Sequence, residues 1–159
     1  MTPELHPDIE PIAFLLGTWR GTGAGSYPTI EPFTYTEEVT FGHIGKPFLA
    51  YAQKTRHGET CQPLHAETGY WRLIGGRDIE VVLTHPTGLL ELLLGPHDGG
   101  VFDLASQSIV GTPTAKSVTE VRRRFEVSGD DLRYDFSMAA VGQPLTHHLS
   151  ASLHRVTDE

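Results

Sequence analysis

The sequence predicts an all-β protein, an antiparallel up-and-down β-barrel of about ten strands. Apolar and polar residues alternate over many short segments, most clearly over residues 145–153, and a period of two is typical of strands with one buried face. The 17 Gly and 11 Pro supply frequent turn signals between these segments. No segment of helix length shows a helical period. Consecutive hairpins favour a meander, and a closed meander of this size holds a cavity.

Length and charge limit the class of protein. A chain of 159 residues predicts one domain, residues 1–159, long enough for a sizeable core. The net charge of −8 argues against a nucleic-acid surface and against binding to anionic membranes. No apolar run approaches the length of a membrane span. Cys61 is the only cysteine, which excludes an internal disulfide and fits a reducing compartment, so the cytoplasm is the expected location.

The start of the chain predicts an arm, a short plug and a glycine-rich strand. Residues 1–8 form the arm. Residues 9–16 are apolar but include Pro11, which limits them to one or two helical turns, with Asp8 as the cap, that plug the base of the fold. In the Gly-Thr-Trp-Arg-Gly-Thr-Gly segment (17–23), the glycines leave one strand row without side chains. Such a row permits the close approach of another backbone or a sharp bend.

Strands follow one another from there to the end of the chain. Turn residues separate them, as at His-Pro-Thr-Gly (85–88). Five of the six residues 89–94 are leucine, which places apolar side chains on both rows, so we expect this strand to be covered on both sides. The predicted strands span residues 33–41, 48–55, 63–74, 79–83, 89–94, 101–108, 118–127, 132–139 and 144–155.

Several common catalytic motifs are absent. The glycines at 17–23 do not open a helix, which excludes a P-loop or a dinucleotide fingerprint. The sequence has no nucleophile elbow, and no pair of histidines has helical zinc spacing. Glu37 and Glu38 fall on opposite strand faces and cannot act together as an acid/base pair.

Histidine is the residue type that points to chemistry, with nine copies. His147, His148 and His154 lie on the last strand. The simpler interpretation is that they belong to a solvent-facing polar row, and the alternative is that they include a metal ligand. His65 lies in a strand and His85 at a strand end. Both can converge with the 147/148 pair on one mouth of the barrel.

Six segments follow one another in an order that one protein family shares. They are Gly-Thr-Trp-Arg-Gly-Thr-Gly (17–23), Tyr-Pro-Thr-Ile (27–30), Gly-Lys-Pro (45–47), Tyr-Ala-Gln-Lys-Thr (51–55), His-Ala-Glu-Thr-Gly-Tyr (65–70) and His-Leu-Ser-Ala-Ser-Leu (148–153). The first of them fits the pattern Gly-x-Trp-x-Gly-x-Gly. Through these segments the chain resembles the nitrobindin family over about residues 9–155.

This resemblance implies a ten-stranded barrel, similar to fatty-acid-binding proteins and lipocalins, that holds haem b near its open end. It further implies that ferric haem binds nitric oxide and isomerises peroxynitrite to nitrate, so the expected partners are haem and small nitrogen-oxide ligands. A non-enzymatic carrier of an apolar ligand in the same barrel is the alternative. The oligomeric state stays open, with a homodimer as one option.

The family pattern also implies site residues. The family's proximal histidine precedes Leu-x-Ala, which makes His148 the expected iron ligand and the centre of catalysis. The expected pocket residues are Leu64, His65, Val118 and Met138, and Thr29 is expected close to the haem. His85 corresponds to a position where a plant member has glutamine. Lys116 is expected, from its charge alone, to contact a haem propionate.

The register of the last strand stays open. Strict alternation places His147, not His148, on the row of Leu149 and Leu153. Either that row does not face the cavity at this point, or a bulge re-aims the strand. The family motif favours His148 and leaves His147 as the second candidate.

Overall fold

The computed structural model describes residues 1–157, so the last two residues of the predicted domain 1–159 lie outside the described residues. Ten antiparallel strands form one closed barrel in which each strand pairs with the next and the last pairs with the first. The predicted fold class is therefore confirmed. The strands are β1 (Gly17–Tyr27), β2 (Ile30–Gly42), β3 (Leu49–His57), β4 (Pro63–Ile74), β5 (Asp78–His85), β6 (Leu89–Asp98), β7 (Val101–Gly111), β8 (Val118–Ser128), β9 (Asp131–Ala140) and β10 (Thr146–Arg155).

Strand alternation builds the core, because every second side chain points into the barrel. The predicted strands have the correct order, although several continue past their predicted ends. β6, for example, runs to Asp98 rather than to Leu94, and β2 begins at Ile30. Aromatic rings fill the centre, where Trp71 packs edge-on against Phe41, Phe102 and Phe125.

A 3₁₀ helix, Pro7–Leu15, plugs one end of the barrel, as the apolar run predicts. Its Ile9, Ile12 and Leu15 are fully buried. The predicted cap is wrong: the His6 side chain, not Asp8, caps the helix by accepting a hydrogen bond from the Asp8 amide. A histidine nitrogen serves here because it reaches the amide two residues ahead.

Residues of the first and last strands, β1 and β10, fasten the plug to the barrel wall. The indole of Trp19 donates to the Leu15 carbonyl. The guanidinium of Arg155 lies 4.2 Å from the centre of the Trp19 ring and donates to the carbonyls of Leu16 and Phe14. The other end of the barrel has no such plug among residues 1–157 and is the open end.

The glycines of β1 serve two purposes. A Cβ on Gly21 would lie 2.0 Å from the Ser152 carbonyl oxygen, so this position needs glycine for the close approach of β10, as predicted. A Cβ on Gly23 would meet the ring of Tyr35. Glycine there makes room for an aromatic side chain of the neighbouring strand.

The outer row of β6 contradicts its predicted burial on both faces. Leu90, Leu92 and Leu94 are exposed. A meander barrel leaves the outer face of each strand to solvent unless a partner covers it, so a doubly apolar strand need not be covered within its own chain. Tyr70 and Val82 align with Leu92 across β4, β5 and β6. We call Tyr70, Val82, Leu90, Leu92 and Leu94 the apolar outer face.

No helix among residues 1–157 has the length and hydropathy to cross a membrane.

Candidate functional site

Two bulges face each other across the seam between β1 and β10. On β10, His147 is opposite Ser137 and Leu149 is opposite Phe136, which leaves His148 as the extra residue. On β1 the register of the pairing with β2 shifts between Gly25 and Tyr27. A bulge re-aims the side chain it carries. His148 and Leu149 consequently line the same cavity.

The bulge resolves the open register of the last strand. His147 lies outside the barrel, where its Nε2 is 2.7 Å from the Ser150 hydroxyl and 3.3 Å from Asp135. Strict alternation fails at this one point because the extra residue adds a side chain to the inner row without displacing Leu149.

His148 presents one free ring nitrogen to the cavity. Its Nδ1 donates to the Ser26 carbonyl at 2.9 Å, and a carbonyl can only accept, so Nδ1 carries the proton. The neutral ring then has its lone pair on Nε2. Burial lowers the pKa of His148 more than the hydrogen bond to Ser26 raises it, which favours the neutral ring. Metal-binding histidines in proteins have this arrangement, with one nitrogen donating to a carbonyl and the other free.

Aromatic rings fix the orientation of the His148 imidazole. The rings of Tyr27, Phe33 and Phe136 lie 5.3, 6.3 and 5.9 Å from it, centre to centre. Tyr27 is itself anchored, since its hydroxyl donates to the Met138 carbonyl and accepts from the Ala140 amide. The candidate ligand is therefore held by packing as well as by its hydrogen bond.

Two cavities meet at His148 at the open end. One has a volume of about 580 Å³, and its lining includes Leu64 and His65. The other has about 500 Å³, and its lining includes Thr29, Val118 and Met138. Lys116 and His148 line both. A wider hollow of about 730 Å³ lies outside the barrel beside His147 and carries none of the predicted site residues.

Seven of the eight predicted site residues thus converge on this end of the barrel. The eighth, His85, lies behind His65 instead of on the cavity wall: its side chain is 6 % exposed, and its Nδ1 is 3.0 Å from Nε2 of His65. The two rings lie 5.2 Å apart.

The residues present fit a haem. The described residues contain no cluster of three or more His, Cys, Asp and Glu side chains able to hold a metal ion. A porphyrin brings four nitrogen ligands of its own and needs only an axial imidazole. One imidazole with a free nitrogen, set in walls of Leu, Val and Met, is that donor set.

A buried ionic chain runs inward from His85, and sequence reasoning missed it. Arg123 donates two hydrogen bonds to Glu91, at 3.0 and 3.1 Å, and one to Glu67 at 3.0 Å. Burial alone would raise the pKa of Glu91, but Arg123 and His85 lower it to about 2. The signal was present in the sequence: Glu91 interrupts the inward row between Leu89 and Leu93, and Arg123 interrupts the row between Val121 and Phe125.

A second buried cluster lies further inside the barrel, around Glu37. Tyr134 donates a short hydrogen bond to this carboxyl group, and the hydroxyls of Tyr134 and Tyr35 are 2.7 Å apart. Burial, with the nearby Glu67, raises the pKa of Glu37 to about 7, although Tyr134, Gln53 and Arg123 oppose the shift. Its neighbour Glu38 lies on the outer face with Arg20 and Lys54, so the predicted separation of the two carboxylates is correct.

Comparison with known protein families gives one match that spans nearly the whole chain. Residues 8–155 match the family described as the THAP4-like, heme-binding beta-barrel domain. A protein of Mycobacterium avium named Peroxynitrite isomerase 2 is 54% identical over 159 residues, which cover 98% of this chain and 99% of that protein. Peroxynitrite isomerase of Nocardia farcinica is 52% identical over 155 residues, 95% of this chain and 92% of that protein.

Solved structures show the same architecture. The crystal structure of Rv2717c from M. tuberculosis has a TM-score of 0.91 at 47% identity and covers 97% of this chain and 100% of its own. The S-type phycobiliprotein lyase CPES from Guillardia theta has a TM-score of 0.66 at 7% identity over 94% of this chain and 93% of its own. The second similarity shows the fold alone.

Proposed function

Because the chain belongs to the THAP4-like, haem-binding β-barrel family, which confirms its resemblance to the nitrobindins, we propose that it is a haem-dependent peroxynitrite isomerase. Relatives that carry this name are more than half identical to the chain over almost their full length. Haem is the cofactor that the family match supports, and we propose haem b as its form. We extend the proposal to the binding of nitric oxide on ferric haem.

The free Nε2 of His148 is the observation that carries the proposal. We propose that Nε2 of His148 would hold the haem iron, since the Ser26 carbonyl fixes the tautomer of this imidazole and three aromatic rings fix its plane. Bound haem supplies a ferric iron that can take nitric oxide or peroxynitrite. The chain's contribution is coordination, access and the exclusion of water.

The remaining pocket residues divide between packing and charge. Leu64, Val118 and Met138 offer the porphyrin apolar contacts and offer few hydrogen bonds to a bound ligand. Lys116 lines both cavities from an exposed position, which suits a propionate carboxylate at the rim. Thr29 lies on the same rim, next to the seam that carries His148.

The alternative is a carrier of an apolar ligand without haem chemistry. It is favoured by the apolar walls of the 500 Å³ cavity, which would accept other flat or elongated molecules. An absorption spectrum of the purified chain with and without added haemin distinguishes the two, because a carrier would show no Soret band that depends on His148.

The deciding experiment replaces each of the two adjacent histidines. We expect His148→Ala to remove the axial ligand, change the ferric spectrum and abolish the acceleration of peroxynitrite decay, although apolar burial retains some porphyrin. His147→Ala is the matched control and should leave both unchanged, because that ring lies outside the barrel. The opposite result would reassign the ligand, and no effect from either variant would support the carrier.

We also propose that the chain forms a homodimer through the apolar outer face. Two copies of one such face are self-complementary around a twofold axis. Near the edge of the face, Arg72 and Glu80 form an ion pair of 3.1 Å within one copy, so neither charge needs a partner across the interface. Leu92→Glu should shift the sedimentation of the protein to that of a monomer, and Thr36→Glu, on the outer side of β2, should not. A wild-type protein that sediments as a monomer would contradict this assembly.

The proposed location is the cytoplasm. The exposed thiol of Cys61 has no disulfide partner, which fits a reducing compartment. Fractionation of cells that express the protein tests this, and recovery outside the cytoplasmic fraction would refute it.

A further inference from the structure

The contact between His65 and His85 restricts the protonation of the cavity wall. Nε2 of His65 faces Nδ1 of His85 at 3.0 Å, so one of the two atoms must donate and the other accept. If Nε2 of His65 donates, its Nδ1 has no proton while the ring is neutral. If Nδ1 of His85 donates, Nε2 of His65 is the acceptor, and the proton of a neutral His65 lies on its Nδ1. The position of the proton on His85 therefore decides which nitrogen of His65 is protonated.

Glu91 determines the state of His85. Nε2 of His85 lies 3.1 Å from a carboxylate oxygen of Glu91, outside the alignment of a regular hydrogen bond, and this nitrogen has no other partner among the described residues. The Arg123 guanidinium holds Glu91 ionised through two hydrogen bonds. An ionised carboxylate can only accept, so the proton of a neutral His85 lies on Nε2 and its Nδ1 is an acceptor.

A doubly protonated His85 would reverse this order. That cation would donate from both nitrogens and force His65 to carry its proton on Nδ1. Arg123 already supplies a positive charge to Glu91 and Glu67.

We propose that His85, held by Glu91, is a positioning residue that fixes His65 in the tautomer protonated on Nε2, so that the cavity wall presents the unprotonated Nδ1. The wall then offers a hydrogen-bond acceptor to whatever occupies the cavity. Ligands that carry a proton donor gain a partner there, while ligands that need a donor, such as bound dioxygen, gain none. Burial also lowers the pKa of His65, which keeps the ring neutral near pH 7.

The tautomer can be measured directly by nitrogen NMR on the full-length, haem-free chain with labelled histidine, and His65→Gln assigns the resonances. We expect Nδ1 of His65 to resonate as an unprotonated nitrogen and Nε2 as a protonated one. His85→Gln should preserve this pattern, because its amide oxygen accepts in place of Nδ1. His85→Leu removes the acceptor and should mix the two tautomers. A protonated Nδ1 in the wild type, or an unchanged tautomer in His85→Leu, would overturn the proposal.

A second measurement uses the haem-loaded protein and rests on the proposed function. The stretching frequency of carbon monoxide on ferrous haem falls when a donor reaches the ligand. Wild type and His65→Leu should share one frequency, and His85→Leu should shift to a lower one by releasing His65 to donate. The double variant His65→Leu/His85→Leu should return to the wild-type frequency. A wild-type frequency below that of His65→Leu would refute the proposal. Failure of the chain to bind haem, with the expected NMR pattern, would refute only the proposed function.

Discussion

Replacing the buried Glu37 tests whether the barrel interior carries an avoidable electrostatic cost. This carboxyl group is almost fully enclosed and accepts from Tyr134, with Glu67 and Arg123 close by. Its pKa is raised from 4.5 to about 7, chiefly by burial. The folded protein therefore holds this proton more tightly than the unfolded chain does.

The pH dependence follows from that difference. Stability from Glu37 is fully present below the unfolded pKa of 4.5 and is lost as the pH rises through about 7, because ionisation is then resisted only in the folded state. One pKa unit corresponds to about 1.4 kcal/mol, so the shift amounts to about 3 kcal/mol lost between pH 4.5 and pH 8. Glu37→Gln retains an acceptor for Tyr134 and has nothing to ionise, so it should escape this loss.

The assay is urea unfolding of wild type and variant at pH 5 and at pH 8. The free energy of unfolding of the variant, relative to wild type, should rise by about 2.5 kcal/mol between the two conditions. A constant offset from the changed hydrogen bond cancels in this comparison, as do all other titrating groups. Glu38→Gln is the control, since that carboxylate lies on the outer face, pairs with Arg20 and Lys54, and has a lowered pKa. Parallel pH profiles for wild type and Glu37→Gln would refute the reasoning.

Two further predictions concern packing. Gly21→Val should destabilise the protein severely or prevent folding, because its Cβ would overlap the backbone of β10. Gly42→Val should be tolerated, because a Cβ there meets nothing within 4 Å, and equal melting temperatures of the two variants would contradict this prediction. Leu15→Ala should lower the free energy of unfolding by about 2–5 kcal/mol, because it opens a cavity in the plug. Phe14→Ala should lower it clearly less, because that side chain is 37% exposed. Chemical denaturation measures both losses, and similar values would mean that the plug does not support the barrel.

The sequence was most informative where alternation is strict. The inward row of β10, with Leu149, Ala151 and Leu153, follows directly from its pattern, and so does the closed meander. The bulge at His148 could not be derived from the pattern, because an extra residue changes the register without changing residue types. Only the family motif favoured His148 over His147.

Partner contacts were the other limit of prediction. Nothing in the spacing of His65 and His85 indicates that one stands behind the other, since that depends on how β4 and β5 are offset around the ring. Glu91 and Arg123 were visible as charges on apolar rows, but their pairing joins β6 to β8 through the interior. The exposed row of β6 was mispredicted because apolarity alone does not say whether the chain or a partner covers it.

The seam between β1 and β10 has a consequence for synthesis on the ribosome. Ser26 and His148, which meet there, are 122 positions apart in the chain. Contacts of such separation form late and slow the folding of β proteins. The first strand therefore leaves the ribosome with an unpaired edge and keeps it until the last strand has been made. The iron-binding imidazole that we propose arrives on that last strand, so a nascent or truncated chain has neither a closed wall nor an axial ligand, and haem can be retained only by a chain that has been completed.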